Sequence, residues 1–312
     1  MTGAPKPSLR SYGDVGGVPS KLVNYWRLVQ GARRSLADLP DYVGRVIGEC
    51  RALEAMAETY LGLRLQNLRA LEIGAGQLPR QMAYFARANR VVGIDLDRVA
   101  PDEGWSQYAE MWRRNGPGRV LKTLGRKALG FDRRLMRELY RQLDCPTPPK
   151  FERMQMDAGH MSFDDATFDF VYSVDVFEHL PAPEQVIDET VRVLKPGGAA
   201  VISLLPYTAE AGPHDLRTHG GPRHGLAYWA HLRPAHAAEV QPSVYVNRLS
   251  TADWVSLIER KLPGATFERS RPFNHGELVP ALQSLRAAGE LAAYSDDDLL
   301  GYRWRFCWRK PS

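Results

Sequence analysis

The chain has 312 residues, of which 44% are hydrophobic and 25% charged, with a formal net charge of +5. That is ordinary for a soluble globular protein, with room for one large domain carrying insertions or two small ones. No apolar run approaches a membrane-spanning length and the polar, proline-rich start lacks an apolar signal core, so neither an integral membrane protein nor a secreted one is expected. Three scattered cysteines (Cys50, Cys145, Cys307) supply neither a disulfide framework nor a cysteine zinc site, and a reducing, cytoplasmic setting is expected.

In chain order, residues 1–20 are rich in Gly, Pro and Ser and read as a flexible lead. Tyr25-Trp26 opens an expected helix whose aromatics either close over a ligand or pack on the core; Tyr12 is a further aromatic in this region. Over 41–62, Val43, Val46, Ile47, Cys50, Leu53, Ala57 and Leu61 recur at helical spacing. Residues 68–73 then read as a strand covered on both faces. It runs into Gly74-Ala75-Gly76 and a helix over 77–89, with Pro79 expected in the first turn. The two glycines permit a sharp turn with a ligand lying close against the backbone. A dinucleotide fingerprint, G-x-G-x-x-G, would need glycine where Pro79 stands, so that class fails. Glu72 instead puts a carboxylate two residues before the first glycine.

A second buried strand, 90–97, carries Asp95 where the hydroxyls of a bound ribose would arrive, about twenty residues after the turn. Residues 98–150 form an insertion with ten basic residues between Arg113 and Arg141, opposed there by Asp132 and Glu138. Leu121, Leu124, Ala128, Leu135 and Leu139 fall roughly on one helical face, interrupted by Gly125 and Gly130. This is either a solvated basic face over a packed stripe or a surface for anionic membrane or phosphate. Strands are expected at 151–156, followed by Asp157-Ala158, and at 168–173, followed by Val174-Asp175-Val176-Phe177-Glu178-His179-Leu180. A helix over 184–194 should stop at the turn Lys195-Pro196-Gly197-Gly198 before a fifth strand over 199–205.

The second insertion, 206–249, interleaves His214, Asp215, His219, His224, His231 and His236 with Tyr207, Tyr228, Trp229 and Tyr245, as a small-molecule pocket would. His214-Asp215-x3-His219 contains metal-ligand residue types, but loop spacing fixes no geometry and no metal is expected. Ser250 should cap a helix running to 262, a sixth strand should span 265–273, and a helix 278–293 should hold Pro280 in its first turn. Ser295 reads as another helix cap, and 302–309 alternates as a final strand.

Glu72-x-Gly74-x-Gly76, Gly93-x-Asp95, Asp157-Ala158, Phe177-Glu178-His179-Leu180 and 192–198 occur in an order that resembles the class I S-adenosylmethionine-dependent methyltransferases. The likeness is to the branch with small-molecule acceptors similar to type 11 methyltransferases, over roughly residues 65–205. It implies an α/β, Rossmann-like three-layer sandwich: a mostly parallel seven-stranded sheet with an antiparallel final strand and helical insertions. The domain would span 65–312, preceded by a lead and helical cap over 1–64. It further implies S-adenosyl-L-methionine as cofactor, with Glu72 on its amino group, the turn Gly74, Ala75 and Gly76 beneath it, and Asp95 with Leu96 at the ribose. Asp157 and Ala158 would meet the adenine, and Ser173 and Val174 would end the fourth strand beside it. Leu78 stands where the family has a third glycine, which implies a wider turn.

The expected reaction is methyl transfer to a hydroxyl, less readily a nitrogen, of a sugar or natural-product scaffold, with His179, His214 or His219 as general base. The alternatives are a nucleic-acid methyltransferase using the basic insertion, a non-catalytic binding protein that keeps the fold, and a peripheral enzyme on a lipid-linked sugar.

Overall fold

A computed structural model describes residues 37–96, 108–109, 111–113, 116–128, 130–218 and 223–312. Tyr12, Tyr25, Trp26, Asp97 and His219 lie outside the described residues. Seven strands form one sheet in the order β3-β2-β1-β4-β5-β7-β6. They are β1 (Arg69–Ile73), β2 (Arg90–Asp95), β3 (Glu152–Gln155), β4 (Phe168–Val174), β5 (Leu194–Leu204), β6 (Thr266–Ser270) and β7 (Arg303–Arg309). The pairs among β1 to β5 are parallel, and β7 runs antiparallel to both β5 and β6.

Neighbouring residues on the central strands point to opposite faces, so each strand feeds two cores. Ala70, Phe170, Tyr172 and Val201 face Cys50, Leu53 and Met56 of helix α1 (Leu39–Leu61) and Phe85 of α2 (Arg80–Phe85). Leu71, Val171 and Ile202 face Val186 and Ile187 of α5 (Pro183–Val193) and Trp254 and Ile258 of α6 (Thr251–Lys261). Burial on both faces accounts for the continuous apolar runs of a parallel sheet. Helix α1 starts two residues before the expected 41, and Gly62 stands outside it as a left-handed cap, φ 61°, donating its N–H to Glu58 O at 3.1 Å.

The basic insertion forms α3 (Pro117–Ala128) and α4 (Phe131–Gln142), parted by Gly130 at φ 62°. The apolar face of α4 is already occupied: Phe131, Leu135 and Leu139 are buried in the α1 core. Arg133, Arg134, Arg137 and Arg141 form the exposed face, while Leu124 of α3 is exposed.

Several expected boundaries move. Helix α2 begins at Arg80, not 77, and leaves Pro79 outside as its N-cap. Residues 195–198 lie inside β5 as a bulge: α5 passes at Leu194 into the strand, Gly197 takes φ 75°, and the register against β4 jumps from Leu194 to Ala199. Pairing with the end of β7 explains this, since Gly197 N–H donates to Lys310 O at 2.9 Å and Lys310 N–H to Gly198 O at 2.8 Å. Helix α7 (His275–Ala287) starts three residues early, because Asn274 O accepts from Glu277 and Leu278, and so Pro280 falls in the helix interior. The capping boxes are as read: Ser250 with Asp253 on α6, and Ser295 with Asp298 on α8 (Asp296–Leu300).

The second insertion holds short 3-10 turns at Leu216–Thr218, Ala230–Leu232 and Ala237–Glu239. Trp229, read from the sequence as a pocket wall, is buried with Leu278, Leu282, Leu291 and Leu299, and its indole N–H donates to Leu299 O at 3.3 Å. It pins the insertion to α7 and α8. Among the described residues no helix is long and apolar enough to cross a membrane.

Candidate active site

The acids singled out in the sequence follow or end adjacent strands at the carboxyl edge of the sheet. Between β1 and α2 the chain turns with Gly74 at φ 78° and Gly76 at φ 61°. The N–H groups of Gly74 and Ala75 both donate to Ile94 O, at 2.8 and 3.0 Å, and that of Gly76 donates to Oδ2 of Asp95 at 2.8 Å. The turn is thereby fastened to the end of β2. Side-chain atoms could not be added at Gly74: a Cβ there would lie 2.2 Å from Cγ2 of Val176, in the loop after β4.

Glu72 lies beneath the turn, 3% exposed. Its Oε2 accepts from the Tyr172 hydroxyl at 3.1 Å. Burial pushes its pKa up to about 8, against the downward pull of the Tyr172 hydrogen bond and the Arg80 charge. Asp95 is half-buried, opposite Gln155 of β3, and Met156 N–H donates to its carbonyl at 3.0 Å. Leu96 is half-buried and its carbonyl accepts from Gln155. Asp157 is the outermost acid: its Oδ1 accepts from Gly159 N–H at 2.8 Å, and its side chain is exposed. Ala158 is half-buried and packs on the α5–α6 core. Ser173 is spent inside the sheet, its hydroxyl donating to Ile73 O at 2.9 Å and tying β4 to β1, while Val174 packs on the α1 core.

The loop after β4 is held from three sides. Asp175, at φ 56°, accepts from Arg303 Nε at 2.9 Å, and the same guanidinium reaches Glu49 of α1 at 2.8 Å. The 3-10 turn Phe177–His179 follows. Asn247, on the returning arm of the insertion, donates its side-chain amide to Phe177 O and Leu180 O and its backbone N–H to Glu178 O. His179 Nδ1 donates to Tyr245 O at 2.7 Å. His214, on the outgoing arm at φ 54°, stacks edge-on against His179, with ring centroids 4.6 Å apart. Its Nε2 is 3.9 Å from Oε1 of Glu178. Glu178 is 2% exposed, and burial and the charge of Asp175 raise its pKa.

The remaining histidines of the insertion separate from this group. His231 is half-buried with Nε2 donating to Tyr207 O at 2.8 Å, and desolvation lowers its pKa to about 4, so it is a neutral structural contact. His236 pairs with Glu239, and His224 is exposed. Asp215 is fully buried and clasped by the Arg217 guanidinium and by Gln241 N–H at 2.7 Å. Asp215, one of the metal-ligand residue types in the stretch His214-Asp215-x3-His219, is thereby taken up as an ion-pair partner. The sequence reading passed over Glu178 and Tyr172, although Glu178 stands within the Phe-Glu-His-Leu motif and Tyr172 shares a strand face with Phe170. A cavity of about 660 Å³ is lined by Thr251, Val255, Arg260, Arg269, Asp297 and Trp304 among others, none of them on this rim.

The chain is similar to a family model and to several known proteins. The model of the family described as methyltransferase domain matches residues 115–202, which include β3, β4 and the loop of Glu178 and His179. The 27-O-demethylrifamycin SV methyltransferase of Amycolatopsis mediterranei is 30% identical over 157 residues, 47% of this chain and 54% of that protein. An uncharacterised methyltransferase of Mycobacterium marinum is 25% identical over 193 residues, 61% of this chain and 60% of that one. The chain thus spans between half and two thirds of the length of these relatives. Among solved structures, Haemonchus contortus phosphoethanolamine N-methyltransferase 2 superposes with a TM-score of 0.46 at 14% identity, covering 84% of this chain and 53% of that one. The matched segment begins after the glycine turn, so the first half of the sheet is carried by its own strand order and by the wiring of the turn to Asp95. Residues 115–202 thus match the methyltransferase-domain family, and the strand order, with its antiparallel β7, is the one that the resemblance to class I S-adenosylmethionine-dependent methyltransferases implies.

Proposed function

We propose that the chain transfers a methyl group from S-adenosylmethionine to an oxygen, or less readily a nitrogen, of a small molecule. The observation that carries this is the glycine turn fastened to Asp95 directly above the buried Glu72. The residues suit the cofactor's chemistry. A carboxylate at Glu72 answers the ammonium of the amino-acid end, and the second oxygen of Asp95 can accept from a ribose hydroxyl. Asp157 and the backbone of Ala158 offer an acceptor and a donor to the adenine edge, with the Ser173-Val174 strand end beside them. The lack of a side chain at Gly74 lets the turn adopt φ 78° and lets Val176 of the loop after β4 pack against it.

When bound, the cofactor supplies a methyl group activated by its sulfonium. The chain's task is to align the acceptor behind that methyl and to exclude water. The insertion 206–249 is zipped onto the loop after β4 and supports that role as a cap. His179 and His214 are the groups that manage the acceptor's proton; His219 lies outside the described residues. In the transfer the acceptor oxygen forms its bond to the methyl carbon, the carbon–sulfur bond breaks with its pair passing to sulfur, and the O–H proton is lost on the histidine side. An oxygen acceptor is favoured because the Amycolatopsis relative is named for a 27-O-demethylated rifamycin.

The test is a panel of hydroxylated sugars and natural-product scaffolds, scored for a mass gain of one methyl together with S-adenosylhomocysteine. His214→Asn should lower the rate by about 10²-fold. Cofactor binding without turnover on any acceptor would indicate a binding protein, and methyl incorporation into RNA would replace the acceptor class.

A further inference from the structure

Three ligating side chains from two separate segments converge beside the glycine turn. One ligand atom each from Glu178, His179 and His214 lies within 4.8 Å of the other two. Donors on a tetrahedral cation at about 2.0–2.1 Å stand roughly 3.3 Å apart, so the trio is one small contraction from a coordination shell. At 3.9 Å, the His214 to Glu178 distance is too long for a hydrogen bond.

Two further observations point to a ligand. Glu178 is 2% exposed; its Oε1 accepts from Leu205 N–H at 3.3 Å, but its Oε2 has no hydrogen-bond partner among the described residues. A buried carboxylate oxygen left this way is costly, and a coordinate bond would satisfy it. The Tyr245 carbonyl can only accept, so His179 carries its proton on Nδ1 and the lone pair on Nε2. An imidazole whose other nitrogen is held by a carbonyl is the usual arrangement of a metal ligand. Asn247 immobilises the backbone on both sides of Glu178.

We propose that Glu178, His179 and His214 bind one divalent transition-metal cation, with the acceptor's oxygen or water completing the shell. Two imidazoles and one carboxylate suit zinc, cobalt or manganese better than magnesium or calcium, and three protein ligands leave a position open. The inference rests on the proposed methyl transfer for its purpose and replaces direct proton transfer to an imidazole: an oxygen held by such a cation ionises near neutral pH, giving its proton to water, and His179 and His214 act as ligands instead of as bases.

Untagged full-length protein, freed of metal with a chelator, is titrated with Co²⁺ and separately with Zn²⁺ in the absence of cofactor. Visible cobalt absorption and metal analysis should give one ion per chain. His214→Asn, His179→Gln and Glu178→Gln should each weaken binding by about 10-fold or more. Asn tolerates the left-handed backbone of His214, so that variant should fold. The control His236→Asn should bind as wild type. An absence of cobalt absorption at millimolar Co²⁺ overturns the proposal, as does binding that survives in all three variants. Cofactor binding by the same metal-free preparation, measured in parallel, separates this failure from failure of the methyltransferase reading.

Discussion

The Tyr172 hydroxyl and the Glu72 carboxylate form a wholly buried pair, O to O 3.1 Å, one strand apart beneath the glycine turn. With its pKa raised from 4.5 to about 8, Glu72 holds its proton at neutral pH in the ligand-free protein. Its contribution to stability is fully present below about pH 4.5 and is lost as pH rises through about 8. An incoming ammonium pulls that pKa down, so cofactor binding at pH 7 should expel a proton. Calorimetry in buffers of different ionisation enthalpy should detect the release. Affinity should climb to about pH 8, where the ligand's own amino group begins to lose its charge. Tyr172→Phe removes a donor to the ionised form and should move the rise to higher pH.

At Gly74 two costs combine, a φ of 78° and a Cβ 2.2 Å from Val176. Gly74→Ala should lower stability by about 1–3 kcal/mol and weaken cofactor binding. Adding Val176→Ala should recover the steric part but not the backbone part. Thermal denaturation of the single and double variants reads the partition.

Arg303 joins helix α1 to the loop after β4 through Glu49 and Asp175. Burial pushes the pKa of Glu49 up, but hydrogen bonds and charge from Arg305 and Arg303 outweigh it and leave the group below its ordinary value. Its contribution to stability is therefore present above about pH 4.5 and lost as pH falls below it. Arg303→Met leaves Glu49 with Arg305 alone and takes the guanidinium from the partly exposed Asp175, and should cost about 1–3 kcal/mol, seen as a lower Tm at pH 7. Glu49→Gln should flatten the loss of stability on acidification.

Trp229 anchors the insertion away from the sheet core. Trp229→Ala should cost about 3–5 kcal/mol, and the loss should be local. Limited proteolysis should cut within 206–249 while the sheet stays protected; equal sensitivity throughout would mean that the insertion and sheet unfold together.

The strands were legible because burial on both faces writes continuous apolar runs, as at 70–73 and 168–174, and because capping boxes are local signals, as at Ser250 and Ser295. Where the reading failed, the deciding partner was distant in sequence. Residues 195–198 read as a turn between two elements, whereas pairing with Lys310 holds their bend inside β5. The pocket aromatics of the insertion include Trp229, whose environment is made by Leu278 and Leu299. The structural role of Asp215 was not legible because its clasp runs partly through Gln241 N–H, 26 residues along the chain. For the same reason the grouping of His214 with Glu178 and His179, 36 and 35 residues away, had no sequence period to announce it.

Titration calorimetry of the full chain with S-adenosylmethionine tests the central claim most directly. Wild type should bind one molecule per chain, and Asp95→Ala should lose most of that affinity while its melting stays close to wild type. No binding by wild type, or equal binding by Asp95→Ala, would contradict the account.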